Sequence, residues 1–375
     1  MLIPELFART GKHALLNQSK EKILVIVQWS GGNDGLNTIV PFRNDIYYKL
    51  RPKISIKREE LILLHQDVGM HPKLAPLQEL LENGEMAIIQ NVGYPEPDRS
   101  HFRSMDIWQS ASKSNEYLDT GWIGRMLDFG GTSSDAIEID DTLSLAMKGE
   151  IKKGLALRNL QQASALSKIG MHHCEDAGTH VHDQVSYLRM TLQEATQGIQ
   201  YLSQVSKKHH TTYLYPNSPF AKELKSVANL IHSGAKTTVY YLTLSGFDTH
   251  AFQPLTQNNL FNIYAQAILA FRNDLKSVNR WKDVAVFTFS EFGRRVRENA
   301  GKGTDHGTAG VSFVMGGSLL KGGLYGGMPD LTNLIDDDLR HTIDFRQIYS
   351  SLLEEWLQVE SSPILRQNFE KLKLF

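Results

Sequence analysis

Short apolar, β-branched runs in this chain stop abruptly at polar motifs, most of them containing glycine, and that punctuation restricts it to a sheet whose polar residues gather at the strand ends. KILVIVQW at 22–29 runs into SGGNDG, and MAIIQNVG at 86–93 runs into YPEPDRSH. TTVYYLTLSG from Thr237 ends in FDTH, VAVFTFSEFG from Val284 ends in RR, and VSFVMGG from Val311 follows TDHGTAG. Between these runs lie patterns with helical spacing. PKLAPLQELLENG places Leu74, Leu77, Leu80 and Leu81 on one face, and 260–275 repeats the amphipathic pattern over a longer stretch. Continuous apolar strands alternating with helices predict a mainly parallel sheet covered on both faces. Residues 130–235 are more polar, with a long helix expected over 183–205, and read as a helical cap or insertion within one domain spanning 22–375. DFRQIYSSLLEEWL from Asp344 predicts a closing helix, and residues 1–21 form an N-terminal extension.

Composition narrows the function classes. A hydrophobic share of 41% and a charged share of 22% over 375 residues describe a globular chain able to bury a large core. The formal net charge of -1 offers no basic field for nucleic acid or an anionic membrane. No apolar run approaches the ~20 residues that span a bilayer, so no membrane insertion is expected. The single cysteine, Cys174, makes no internal disulfide.

Ligands of open parallel sheets bind outside the carboxyl ends of the strands, where loops converge. The residues found there in this chain are chemically useful. GGNDGLNT places Asn33, Asp34, Asn37 and Thr38 after the first strand, as a turn with a helix N-cap or as site residues. DRSHFRSMD places Asp98, Arg99, Ser100, His101 and Asp106 after the second; Ser100 is either an N-cap or a nucleophile at a helix N-terminus. Asp248 and His250 in GFDTH lie two residues apart, so in an extended chain both point to one side. They either share a divalent cation such as zinc or manganese or pair with each other within a loop. Glu291 and Arg294 follow the fourth strand, and Asp305 and His306 precede the fifth. Arg294 is either a fork for a tetrahedral anion or one half of a surface ion pair. A second dense run, His172, His173, Cys174, His180 and His182, could bind a soft metal, but it lies in the polar middle region rather than at a strand end, where a solvated or capping segment is the simpler reading.

GGNDGLNTIVP, DRSHFRSMDIWQS, GFDTH, FSEFGR and DHGTAG, in this order, resemble a bacterial family of unknown function, family 1501, placed within the alkaline phosphatase superfamily. The resemblance implies a three-layer α/β/α sandwich of the alkaline phosphatase type and metal-dependent chemistry on phosphate or sulfate esters. It implies a divalent metal (zinc, manganese or calcium) and a small-molecule or glycan ester as substrate. Carried over by position, Asp34 matches the first metal-binding aspartate and Ser100 the nucleophile, with Thr38 as understudy. Asp248 and His250 match an aspartate and histidine that share a metal, although the superfamily commonly spaces them more widely. Glu291 stands where many members have an Asp-His pair, but the next residue is Phe292, which has no ligand atom. His306 matches the last metal histidine. The metal set implied is therefore Asp34, Asp248, His250, Glu291 and His306, with Ser100 and Arg294 as catalytic groups.

Two function classes follow. One is a metal-dependent ester hydrolase; the other is a non-catalytic binding or scaffolding protein on the same sheet, which Phe292 favours. Members of the resembling family commonly carry a twin-arginine leader, so a periplasmic or secreted location is expected.

Overall fold

The computed structural model describes residues 22–158 and 184–375. The extension 1–21 and the His172–His182 run lie outside these described residues. Strand β1 (Ile23–Ser30) sits inside the main sheet and pairs in parallel with both neighbours, Leu24 facing Val239 on one side and Ala285 on the other. The remaining strands of this sheet are β2 (Met86–Gly93), β3 (Ala136–Glu138), β4 (Leu155–Ala156), β5 (Val239–Ser245), β6 (Val284–Phe289), β7 (Gly310–Gly316), β8 (Gly323–Tyr325) and β9 (Ile343–Asp344). Their order is β8-β2-β7-β6-β1-β5-β3-β4, with β9 also on β2.

All of these pairings are parallel except those of β7, which runs antiparallel to both β2 and β6. An apolar run carries no sign of its direction, so the sequence alone does not distinguish this strand from the others. The reversal matters for the site. It brings the start of β7, and the DHG motif before it, to the same edge as the carboxyl ends of β1, β5 and β6.

Alternation along β1 divides the interior into two cores. Ile23, Val25, Val27 and Trp29 face one layer, which includes Phe261, Tyr264, Ile268 and Phe271, while Leu24 and Ile26 face the other with Ile107, Trp108, Trp122 and Tyr349. The first layer is built by α4 (Pro219–His232) and α5 (Gln253–Ser277), packed on each other, and the second by α1 (His101–Ser110), α2 (Trp122–Asp128) and α6 (Phe345–Ser351). The remaining long helix, α3, is Gln184–Ser206. The result is the expected α/β/α sandwich. Trp29 anchors one side, with Phe247 stacked at 5.0 Å and Tyr264 edge-on at 4.7 Å; Trp108 anchors the other, between Phe289 at 4.7 Å and Phe345 at 4.3 Å. Each such aromatic adds roughly 0.5–1.5 kcal/mol per ring pair beyond its area burial. Within the stretch 130–235, read from sequence as a helical cap or insertion, β3 and β4 belong to the sheet: β3 pairs with β5 and extends the same edge. Three-residue and two-residue strands are too short for an apolar run to reveal them.

His71 illustrates what burial does to a titrating group here. Its ring packs edge-on against Phe261 at 4.9 Å, and burial, helped by Lys73, pushes its pKa down to about 4. The folded state therefore holds a neutral imidazole while the unfolded chain protonates near pH 6.5, so the unfolded state binds more protons between those values. Stability is expected to be full above about pH 6.5 and to fall by about 3 kcal/mol as the pH drops to 4. Urea unfolding of the wild type against His71→Gln across that range checks it; equal slopes would show that His71 contributes nothing to the acid sensitivity.

Candidate metal centre

Backbone geometry at the end of β1 sets the site. Gly31 and Gly32 adopt φ of +123° and +77°, conformations that L side chains rarely take. A Cβ on Gly31 would come within 2.3 Å of the Asp248 amide, and one on Gly32 within 2.2 Å of the Phe292 ring. The two glycines thus let the loops after β1, β5 and β6 close on one another.

Three side chains from separate stretches of chain meet in this space. His101 at the start of α1, Asp248 after β5 and His306 before β7 each offer a ligand atom, and these atoms lie within 4.8 Å of one another. His250 stands at the rim, its Nε2 2.9 Å from His306 Nε2 and 3.0 Å from Asp248 Oδ1. Phe292 forms an apolar wall, with ring centroids 5.0 Å from His101 and 4.8 Å from His306.

The other ring nitrogens decide the protonation pattern. His306 Nδ1 faces the Arg99 carbonyl at 2.8 Å, and a carbonyl only accepts, so Nδ1 carries the proton. His101 Nδ1 faces Glu291 Oε1 at 2.9 Å, and His250 Nδ1 faces Asp305 Oδ1 at 3.1 Å. In the neutral form each imidazole therefore turns a lone pair on Nε2 toward the Asp248 carboxylate, which itself only accepts. His306 Nε2 lies 3.2 Å from Asp248 Oδ1. His101 Nε2 is buried with no hydrogen-bond partner, and the nearest charge is Asp248 Oδ2 at 3.5 Å. Acceptors converging on acceptors repel unless a cation or added protons stand between them. The donor set of imidazoles and one carboxylate, each imidazole backed by an outer acceptor, fits a divalent transition metal.

The local electrostatics agree. Burial opposes ionisation of Asp248, but the hydrogen bond and charge of Arg294 hold its carboxyl below the usual range. The hydrogen bond to Glu291 raises the basicity of His101, whereas burial lowers that of His306. Asn299, followed by His250, keeps Asp305 ionised below its ordinary value.

The sequence candidates divide on this geometry. Asp248 and His306 belong to the cluster, and His250 flanks it. Asp34 stands apart: its carboxylate is 1% exposed and accepts from Arg51 Nη1 and Gln253 Nε2, each at 2.5 Å, and from the Leu36 amide at 3.2 Å. With those bonds made, it holds the first loop to the start of α5. Both Glu291 oxygens are engaged by the protein: Oε1 takes the Gly31 amide at 2.8 Å and faces His101 Nδ1, and Oε2 lies 3.2 Å from the Ser290 hydroxyl. Arg294 is engaged likewise. Its guanidinium is fully buried and bonded to the carbonyls of Gly31, Gly32, Phe247 and Thr304 and to Asp248 Oδ1, which leaves no open fork for a ligand anion. Ser100 is exposed at the N-cap of α1, with its hydroxyl making no capping bond. His101 is the residue that sequence reasoning passed over. It stood beside Ser100 in DRSH, and its position after a strand was the signal available.

No curated protein is a detectable sequence relative. Among solved structures, the chain resembles a sulfatase from Pseudoalteromonas sp. at 10% identity and a TM-score of 0.40, covering 99% of this chain and 75% of that one. It resembles a protein in the alkaline phosphatase superfamily from Vibrio parahaemolyticus at 10% identity and a TM-score of 0.40, covering 95% and 77%. It also resembles Ps i-CgsB in complex with a neocarrahexaose at 9% identity and a TM-score of 0.44, covering 94% and 75%. The family model described as a protein of unknown function, DUF1501, matches residues 85–354, which include His101, Asp248, His250, Glu291, Arg294 and His306 and leave Asp34 outside. The chain belongs to the DUF1501 family.

Proposed function

We propose that His101, Asp248 and His306, with His250 at the rim, hold a divalent cation that serves the hydrolysis of phosphate or sulfate esters. The observation that carries this reading is the set of Nε2 lone pairs turned on one carboxylate, with the His101 nitrogen buried and unpartnered. Imidazole-rich ligation favours zinc over calcium, which prefers an all-oxygen shell, and manganese would draw chiefly on the Asp248 carboxylate. Such a cation supplies Lewis acidity at an ester oxygen and charge against a developing oxyanion.

The chain's own residues have separable tasks. Glu291 holds the His101 ring so that Nε2 faces the centre, and the Arg99 carbonyl does the same for His306. Arg294 fixes the Asp248 carboxylate and keeps it ionised. Ser100, next to His101, presents an unbonded exposed hydroxyl at a helix N-terminus, where backbone amides favour an anion; this is the place for a nucleophile on phosphorus or sulfur. A small-molecule or glycan ester suits the open site.

A second reading, a cation-binding protein without catalysis, draws on one observation: among the described residues no side chain accepts a hydrogen bond from Ser100. One experiment separates the two. The purified chain, reconstituted with zinc or manganese, is expected to retain about one metal per molecule and to hydrolyse aryl phosphate or aryl sulfate. Ser100→Ala should keep the metal and lose roughly a hundredfold or more in rate. Bound metal without turnover in the wild type would favour the binding protein, and no bound metal would end both. No helix among the described residues is long and apolar enough to cross a membrane. A periplasmic or secreted location is part of the proposal, checked by fractionating the natural host.

A further inference from the structure

Arg99 lies between the second strand and the site. Its backbone carbonyl orients His306, and its neighbours in sequence are Ser100 and His101. Its guanidinium is held from one side only. Nε, at 2.9 Å, and Nη2 both bond Asp338 Oδ2, and the Nη1 amino group makes no bond among the described residues. The side chain keeps 35% of its surface exposed.

The partner is costly to place. The Asp338 side chain is fully buried, its Oδ1 has no hydrogen-bond partner, and burial pushes its carboxyl up against the pull of Arg99. The chain delivers it through Asp336 and Asp337, both at positive φ (51° and 65°), which a non-glycine residue adopts at a cost. Leu331 and Leu339 anchor this loop in a separate apolar cluster with Leu36, Val40 and Phe42. A strained loop and an incompletely satisfied buried carboxylate thus both serve to fix one arginine, which directly precedes Ser100 in the chain and whose Nη1 group makes no bond among the described residues.

We infer that Arg99, pinned by Asp338, is the anion-binding residue of this site, taking a non-bridging oxygen of a phosphoryl or sulfuryl group through its free Nη1 edge. Arg294 is buried and spent, so it does not compete for the role. Asp338 is a positioning residue: it holds one edge of the guanidinium and leaves the other to the ligand. The inference rests on the ester-hydrolase reading for its substrate, but anion binding is measurable without turnover.

The test uses inorganic phosphate and sulfate as probes, titrated calorimetrically into the metal-reconstituted full chain. Arg99→Met alone would strand the Asp338 carboxylate, so Arg99→Met/Asp338→Leu removes the pair together. Arg99→Lys keeps the charge but loses the fork. Relative to wild type, the double variant is expected to weaken the anion at least tenfold and Arg99→Lys by an intermediate factor, with bound metal unchanged, because the His306 contact is to backbone. Asp338→Asn should also weaken the anion while leaving metal content unchanged. Failure of the wild type to bind either anion, or wild-type affinity in the double variant, would overturn the assignment. Anion binding lost in the double variant, in a wild type that hydrolyses no ester, would uphold Arg99 and reject hydrolysis alone.

Discussion

Asp248→Asn is expected to strip the protein of its divalent metal, weakening apparent affinity by roughly a hundredfold or more and abolishing ester hydrolysis with it. The carboxylate is the single anionic member of the cluster, and asparagine offers the cation a neutral oxygen in its place. The fold should survive with a modest loss. Arg294 forfeits an ion pair of 2.6 Å, but Asp248 is half exposed and the guanidinium keeps its backbone carbonyls, so the cost is about 1 kcal/mol. Glu291→Gln provides the contrast: as an outer partner of His101 it should weaken the metal only about 10–100-fold. Metal analysis after dialysis and urea unfolding of the three proteins checks both statements. Full metal retention in Asp248→Asn would remove this carboxylate from the ligand set.

Arg51→Met should do the reverse, damaging stability while sparing the metal. Its guanidinium is buried and bonds Asp34 Oδ2, Asn37 Oδ1 and the carbonyls of Arg295 and Val296. Removing it leaves the Asp34 carboxylate in the interior with only Gln253 and the Leu36 amide, and breaking such a pair costs about 3–5 kcal/mol. Bound metal per folded molecule should be unchanged, since Asp34 bonds elsewhere. A variant of normal stability that loses metal would restore Asp34 to the ligand set and discard the structural role given to it here.

The strands were legible because burial on both faces demands continuous apolar runs, and the runs at 22–29, 86–93 and 284–289 appear where their residues require. The long helices were legible for the same reason: the expected helix at 183–205 is Gln184–Ser206, and that at 260–275 lies within Gln253–Ser277. Direction was not, so β7 was read with its parallel neighbours. In the site, position after a strand is a signal of neighbourhood and carries no information about role. Glu291 and Arg294 touch the cluster directly, yet the side-chain partners that occupy them, His101 and Asp248, come from distant parts of the sequence. His101 was hidden by its neighbour, because a serine at a helix start draws the reading that a histidine one position later deserves equally. Asp34 looked like a ligand because nothing local announces Arg51, 17 positions on, as its partner.

The reversed strand β7 has a consequence for assembly. Glu291, Arg294 and His306 travel on one excursion of chain between β6 and β7, whereas Asp248 and His101 arrive on two others, so no local fragment of the polypeptide contains the centre. An unfolded chain then has little with which to hold a cation in this geometry, and metal and folding become thermodynamically linked. Free metal at a thousand times its dissociation constant would raise the unfolding free energy by about 4 kcal/mol. The melting temperature thereby becomes a titration of the site, and a gain in thermal stability that saturates with added zinc or manganese is the expected sign of a centre assembled from the segments that follow β2 and β5 and precede β7.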